Sequence, residues 1–176
     1  MIRKARKEDA LQIAEVHVRS WQQTYKGIIS QEFLDQIKVE NRLSLWKNIL
    51  STPSEDSLVY VAENSEGQVV GFASFGIERI NNQKTEAELY AIYIIDEYKR
   101  GKIGTRLLLF GVEELVNQGF KSLLVWVLAK NPGRKFYESV HPIQVSSENL
   151  QIGKYFYEEV AYKWTDLELL IKEIKK

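Results

Sequence analysis

The chain contains 176 residues, 44% of them hydrophobic and 27% charged, as is typical of one soluble globular domain. Its 24 basic and 24 acidic residues give a formal net charge of zero, which argues against nucleic-acid binding that depends on a net basic surface. The absence of cysteine excludes disulfides and a cysteine nucleophile, and no window approaches the roughly 20 apolar residues of a membrane helix. The first residues lack the apolar run of a signal peptide, so we expect a cytoplasmic protein without nucleic-acid or membrane partners.

The first third of the chain predicts one strand followed by helices. Residues 2–6 predict a short strand, and residues 7–25 predict a helix because apolar side chains recur at helical spacing. Residues 29–50 predict one or two further helices, with Ser30 as an N-cap.

The spacing of apolar residues then changes from the helical period to the alternation that is typical of strands. Residues 57–63 and 68–78 predict a hairpin around the turn NSEGQ, and residues 85–96 predict a longer strand. Simple alternation along this third strand would place five side chains on one face: Glu86, Glu88, Tyr90, Ile92 and Ile94.

The remaining elements complete an alternating pattern. Residues 103–119 predict an amphipathic helix that stops at Gly119, and residues 121–129 predict a buried strand. A short helix with Pro132 in its first turn follows, and then a hairpin over residues 142–167. The last residues, ELLIKEIKK, predict a solvated amphipathic helix. This order predicts one α/β or α+β domain over residues 1–176 with a single mixed sheet.

The segment EYKRGKIGTRLLL joins the third predicted strand to the amphipathic helix. A P-loop is not supported, because Ile103 stands where Ser or Thr should hold Mg²⁺ and Asp96 stands where the first glycine should be. A plain structural turn with solvated cations remains open. The alternative is a pyrophosphate site, since the first turn of a helix offers unpaired N–H groups and Gly104 leaves room for a close ligand.

The longer segment ELYAIYIIDEYKRGKIGTRLL resembles the acetyl-CoA-binding core of the GNAT superfamily of N-acetyltransferases. That family has a strand, a Q/R-x-x-G-x-G/A turn and a helix. With Gly104 as the last glycine, Lys99 takes the Q/R position and Lys102 takes the position of the first glycine. Gly101 comes one residue early, and we interpret it as the flexible point of the loop.

A second segment, NPGRKFYES, is similar to the family's N-P-A-x-x-F-Y-E segment. The resemblance implies that Asn131 meets the pantetheine arm of coenzyme A and that Tyr137 lies near its sulfur. Gly133 replaces the usual alanine. The segments SWQQTYKGIIS and EEVAYKW are similar to a bacterial subgroup that acetylates small amines, so the resemblance covers nearly the whole chain.

The resemblance implies a GNAT fold, which is a single mixed, mostly antiparallel sheet of about seven strands flanked by helices. It also implies acetyl-CoA as co-substrate, without a metal. The implied cofactor-binding residues are Ile92, Tyr93, Ile94, Lys99, Arg100, Gly101, Lys102, Ile103, Gly104, Thr105, Asn131 and Tyr137.

Transfer to an amine needs a base and an acid. An alkylammonium with a pKa near 10.4 must lose a proton before it attacks, and the departing thiolate benefits from gaining one. We expect Glu88 to be the base and Tyr137 to be the acid. Glu86 is the alternative base, and Glu88 could instead be a strand carboxylate that binds a cationic substrate. Tyr137 could instead be an ordinary core aromatic.

Trp21 and Tyr25 are four residues apart and could share a helix face, so we expect them in the substrate pocket or in the core. The two histidines, His17 and His141, lack the partner spacing of a metal site and are expected to be structural.

The predicted function is direct acetyl transfer to a primary amine, such as a small molecule or a peptide N-terminus. The alternative is an inactive acyl-CoA-binding or interaction module, favoured by Lys102 in a glycine position. A homodimer through the C-terminal strands is a further expectation, made by analogy with the family.

Overall fold

The computed structural model describes residues 1–52, 57–79 and 85–176. Its strands are β1 (Ile2–Lys4), β2 (Ser57–Glu63), β3 (Val69–Ile77), β4 (Glu86–Ile94), β5 (Ser122–Leu128), β6 (Ile143–Ile152) and β7 (Tyr155–Trp164). Its helices are α1 (Ala10–Tyr25), α2 (Gln31–Gln36), α3 (Val39–Ser51), α4 (Ile103–Asn117), α5 (Arg134–Glu138) and α6 (Leu167–Ile174).

The seven strands form one mixed sheet in the order β1-β2-β3-β4-β5-β7-β6. Among the described strands, β4 and β5 are the parallel pair, and α4 connects them as a crossover helix. The predicted fold class is confirmed, since the sheet is mixed, mostly antiparallel, seven-stranded and flanked by helices.

The sheet lies between two helical layers. His17 of α1 packs on Phe72, with ring centroids 5.7 Å apart. Phe75, three residues along β3, faces α4, where a Cβ at Gly111 would collide with its ring. Gly111 therefore lets α4 approach the sheet closely, and the two phenylalanines mark the two buried faces.

A β-bulge interrupts β4 at Tyr90. Ser74 pairs with Ala91 while its neighbour Phe75 pairs with Leu89, so Tyr90 is the extra residue on β4. The alternation predicted for this strand is therefore wrong beyond the bulge. Tyr93 stacks on His17 and shares the α1 side with Glu88, whereas Ile94 contacts the α4 side at Gly104.

The pairing between β4 and β5 covers only part of both strands. It runs from Glu86 opposite Ser122 to Leu89 opposite Val125. Beyond that point β5 continues to pair with β7 on its other side, as far as Leu128. The C-terminal half of β4 and the end of β5 thus diverge, and they leave a gap inside the sheet.

Several element predictions are confirmed and two are refined. Residues 29–50 form two helices, and the Ser30 hydroxyl accepts the Phe33 N–H at 3.4 Å. Pro132 lies in the turn before α5, not in its first helical turn. The C-terminal helix α6 is amphipathic as predicted, but it buries Leu170 and Ile174 and lies against α4.

Among the described residues, no helix is both long enough and apolar enough to span a membrane.

Candidate active site

A cavity of about 140 Å³ opens where β4 and β5 diverge. It lies between the ends of these strands, the last turns of α1 and the start of α5. Six of the residues singled out in the sequence line it: Trp21, Tyr25, Ile92, Tyr93, Asn131 and Tyr137. The fold therefore gathers these six residues from three separate segments of the chain around one space.

Tyr137, the predicted acid, is 8% exposed and lines the cavity from α5. Burial raises the pKa of Tyr137 above its usual range, and the nearby Tyr93 hydroxyl adds to the rise. The hydroxyl therefore stays protonated at neutral pH, which is the state that a proton donor needs.

Asn131 is held by contacts at both ends of its side-chain amide. Its Nδ2 donates to the Tyr25 hydroxyl at 3.1 Å, and its Oδ1 accepts the Gly133 N–H at 2.7 Å. Burial raises the pKa of Tyr25, so that hydroxyl is also neutral. These contacts fix the turn before α5 against the end of α1, and this turn sets the position of Tyr137.

Tyr93, which the resemblance implies to be a cofactor-binding residue, also contributes its side chain to the packing around the cavity. Its ring stacks on His17 with centroids 5.3 Å apart and an interplanar angle of 20°. Burial lowers the pKa of His17 to about 3, with Arg42 adding to the effect, and its Nδ1 accepts from Trp46 Nε1 at 3.2 Å. A neutral, hydrogen-bonded imidazole agrees with the structural role expected for His17.

Trp21 lies beside Tyr25, with ring centroids 4.8 Å apart, and Arg42 lies 5.9 Å from its ring centroid. The other histidine, His141, is an exposed residue with a positive φ of 53°. In the part of the chain that the structure describes, His, Asp and Glu side chains form no group of three that could hold a metal ion.

In the loop before α4, two residues other than glycine have the left-handed backbone that usually favours glycine. Arg100 and Lys102 have positive φ values of 64° and 56°, whereas Gly101 does not. The left-handed backbone thus falls on Arg100 and on Lys102, which stands at the family's glycine position, and the flexibility of Gly101 stays a prediction. Lys102 is also the N-cap of α4, whose first turn contains no acidic residue.

The loop residues Lys99–Thr105 surround the positive end of α4. The first N–H groups of a helix have no intrahelical partner, so Ile103, Gly104 and Thr105 present donors at this point. Exposed cations flank them, although Lys99 is paired with Asp96 at 2.5 Å.

Gly104 has a packing role as well. A Cβ there would lie 3.2 Å from Ile94 Cδ1 and 3.6 Å from the Phe136 ring. The absent side chain thus leaves space for protein neighbours and brings the start of α4 close to the helix that contains Tyr137.

Glu88, the predicted base, is 1% exposed and lies on the paired half of β4. Arg79 Nη2 lies 2.5 Å from Glu88 Oε1, and Arg79 Nε lies 3.1 Å from Oε2. The Arg79 backbone N–H also donates to Oε2 at 3.2 Å. Glu88 does not line the cavity itself, but the next two residues of the strand, Leu89 and Tyr90, do. Glu86, the alternative base, is paired with Lys163 at 2.5 Å.

A second cavity of about 310 Å³ lies on the other side of Glu88. Glu86 lines this second cavity and Tyr90 lines the first, so Glu88 is between them on β4. Trp126 of β5 lines both cavities. The two cavities are therefore neighbours along the sheet, with Trp126 as a shared wall residue.

Glu159 is a cavity residue that the sequence analysis missed. It lies on β7 directly opposite Glu148 of β6, which is an unfavourable pairing of like charges. Burial raises the pKa of Glu159, and Glu148 adds to the rise. Nothing local in the sequence signals this, because the pairing register of two distant strands sets it.

Comparisons with known proteins agree with this geometry. A model of the acetyltransferase (GNAT) family matches residues 11–141. An uncharacterised N-acetyltransferase of Bacillus subtilis, YuaI, is 39% identical over 171 residues, 96% of this chain and 95% of the relative. A spermidine N(1)-acetyltransferase of Thermoplasma acidophilum is 30% identical over 139 residues, 77% of this chain and 83% of the relative.

The same fold occurs in the crystal structure of the PaiA N-acetyltransferase of Thermoplasma acidophilum in complex with coenzyme A. That structure matches with a TM-score of 0.70 and 28% identity, over 90% of this chain and 96% of the other. The loop geometry, the divergent strands and these matches agree with one another, and the chain belongs to the GNAT family of N-acyltransferases that use acetyl-CoA.

Proposed function

We propose that the protein transfers the acetyl group of acetyl-CoA directly to a primary amine in a ternary complex. The observation that carries this proposal is the gap between β4 and β5, with Tyr137 on its wall and the start of α4 beside it. The absence of cysteine agrees with direct transfer, since a cysteine acyl-enzyme is impossible.

The residues around the gap suit coenzyme A. Beyond Leu89 the backbone of β4 has no ladder partner on the β5 side, so N–H and C=O groups of Ile92, Tyr93 and Ile94 can pair with the amides of an extended ligand. The N–H groups at the start of α4 suit a pyrophosphate. When bound there, acetyl-CoA supplies an acetyl group activated as a thioester.

Two side chains act as proton acceptor and proton donor in this proposal. Glu88 accepts a proton from the acceptor ammonium, directly or through a water, because it is a buried carboxylate beside the gap. Tyr137 holds its proton on Oη and gives it to the departing sulfur. A strand N–H near Ile92 or Ile94 donates to the oxyanion that forms between these events.

The alternative, an inactive module that keeps the fold, was favoured by Lys102. The structure weakens that argument, because Lys102 already has the left-handed backbone that the turn requires. The turn and the start of α4 are therefore intact with lysine in place, which supports an enzyme.

The acceptor in this proposal is a small primary amine, with spermidine as the first compound to test. The spermidine acetyltransferase relative supports this choice. Carboxylates that line the two cavities, among them Glu86 and Glu159, also suit a cation. A peptide N-terminus is the second acceptor class.

The predicted homodimer remains a prediction. Its support is that β6 is an edge strand of the sheet and that this hairpin exposes large apolar side chains, Ile143, Val145, Tyr155 and Phe156. Light scattering in solution tests it, and a monomer mass at high concentration would exclude it.

The proposed function is tested first by calorimetric titration with acetyl-CoA, with ATP as the control ligand. We expect micromolar binding of acetyl-CoA and none of ATP. Turnover is then measured with spermidine and other amines by thiol release. Binding without turnover of any amine would support the inactive module instead.

A further inference from the structure

Arg79 and Glu88 form an ion pair of very unequal exposure. The Arg79 side chain is 65% exposed and the Glu88 side chain 2% exposed. Arg79 therefore covers the carboxylate on the solvent side. The Arg79 side chain already contacts water, whereas the carboxylate is fixed in the sheet.

The surface beneath Arg79 is fixed independently of Arg79. Its guanidinium carbon lies 4.7 Å from the centroid of the Tyr90 ring. That ring lies over Gly76, where a Cβ would be 2.5 Å from the Tyr90 hydroxyl, and the hydroxyl donates to the Ile77 carbonyl. The bulge thus presents an aromatic face next to a buried carboxylate, which together make a favourable environment for a cation.

A buried carboxylate cannot easily lose its cation without gaining another. Breaking a buried pair by removing one partner leaves an uncompensated charge and is strongly unfavourable. Glu159 adds negative charge nearby, since both Arg79 and Glu88 influence its pKa. Any molecule that displaces Arg79 must therefore be positively charged.

We propose that Arg79 sets the charge specificity of the acceptor side, because its guanidinium occupies the position that the ammonium of the acceptor takes against Glu88 and Tyr90. This inference rests on the proposed function for the identity of the acceptor. A cationic amine enters by exchanging with Arg79, which moves into solvent. A neutral acceptor cannot make this exchange, so Arg79 excludes it.

The exchange predicts that Arg79 competes with the acceptor. Replacing Arg79 with Gln removes the competing cation and leaves Glu88 and Tyr90 in place. We expect Arg79→Gln to bind spermidine about tenfold more tightly, which corresponds to about 1.4 kcal/mol. Arg79→Lys keeps the charge but loses the two-point contact, so a smaller gain, about threefold, is expected.

The test is calorimetric titration of spermidine into the full chain, with and without saturating coenzyme A. Lys154→Gln is the matched control, because it removes one positive charge at an exposed pair with Glu32, on the turn between β6 and β7. We expect its affinity for spermidine to be unchanged. Ethylguanidinium ion should compete with spermidine in Arg79→Gln and have little effect in the wild type, since Arg79 there already fills the position.

Unchanged or weaker spermidine binding in both Arg79 variants would overturn the inference. If the Gln variant fails to fold, the Lys variant alone decides it. Turnover of the wild type with spermidine is measured in parallel, so that the two proposals can fail separately. Tighter binding by Arg79→Gln without any wild-type turnover would refute the proposed function alone. Wild-type turnover without tighter binding would refute the role of Arg79 alone.

Discussion

The two halves of β4 differ in their strand pairing, and the bulge at Tyr90 separates them. In the first half, Glu86–Leu89, the strand is paired on both sides and presents two carboxylates, Glu86 and Glu88. In the second half, the strand is paired with β3 only and borders a cavity. The first half thus contributes carboxylate side chains, and the second half also leaves its backbone groups on the β5 side without a strand partner.

In the proposed function, this one strand holds groups for proton transfer next to groups that bind an extended ligand. An unbroken alternation would have sent Tyr93 to the α4 side, away from Glu88. The extra residue at Tyr90 restores both to the same face. Four substitutions or titrations would break or sharpen this comparison.

The largest effect on activity is expected from replacing Glu88, which lies in the first half of β4. Glu88→Gln should lower kcat/KM about a thousandfold at neutral pH, because the acceptor ammonium loses its proton acceptor. Steady-state kinetics measure it, and Glu86→Gln is the matched control on the same strand and face. Equal losses in both variants would remove Glu88 from its special role.

The next largest effect is expected at Tyr137, which lies across the gap from the second half of β4. Tyr137→Phe should lower kcat about a hundredfold and leave the acetyl-CoA dissociation constant nearly unchanged, because the ring still packs but the proton is gone. Calorimetry measures the dissociation constant of acetyl-CoA, and steady-state turnover assays measure kcat. Unchanged kcat would assign Tyr137 to the core alone.

A stability effect is expected from the imidazole that supports the second half. The folded-state pKa of His17 is about 3, below its ordinary value of 6.5. Between these values the unfolded chain binds a proton that the folded chain excludes, so the free energy of unfolding falls as pH drops from about 6.5 towards 3. The slope from this group is at most about 1.4 kcal/mol per pH unit.

Denaturant unfolding at several pH values measures that slope. His17→Gln retains an oxygen acceptor for Trp46 and should show a flatter dependence on pH. An identical slope in the variant would mean that His17 is already charged or exposed in the folded protein.

The smallest effect is expected in the loop that follows β4. Lys102→Gly should stabilise the protein by roughly 0.5–1 kcal/mol, because a left-handed backbone is unfavourable for a residue with a Cβ. Denaturant unfolding measures it, with Gly101→Ala as the control. Gly101 lacks a positive φ, and a Cβ there would meet only the Tyr98 carbonyl, at 3.6 Å. Destabilisation by Lys102→Gly would mean that the lysine side chain makes a favourable contact.

Much of the fold could be predicted from local patterns. The hairpin of β2 and β3, the helix that ends near Gly119 and the strand over residues 121–129 depend on periodicity and turn residues, which are local properties. The position of Tyr137 beside the cavity agrees with the segment NPGRKFYES, although its role as the acid stays a prediction.

The remainder depends on pairing between distant segments. One extra residue in β4 reversed the facing of Ile92 and Ile94, and no alternation pattern encodes where a bulge falls. The contact of Arg79 with Glu88 and the opposition of Glu148 and Glu159 depend on strand register, which the sequence does not display. The parts of the site that were missed are thus the ones set by register.

The placement of the four tryptophans has an optical consequence. Trp21 and Trp126 line the cavity, whereas Trp46 and Trp164 are buried and donate to His17 and to the Val140 carbonyl. Filling the cavity should change the emission of the first pair and leave the second pair unchanged. Unfolding should shift all four to longer wavelength. The protein therefore has two sets of intrinsic fluorescent reporters, one for ligand occupancy and one for the integrity of the core.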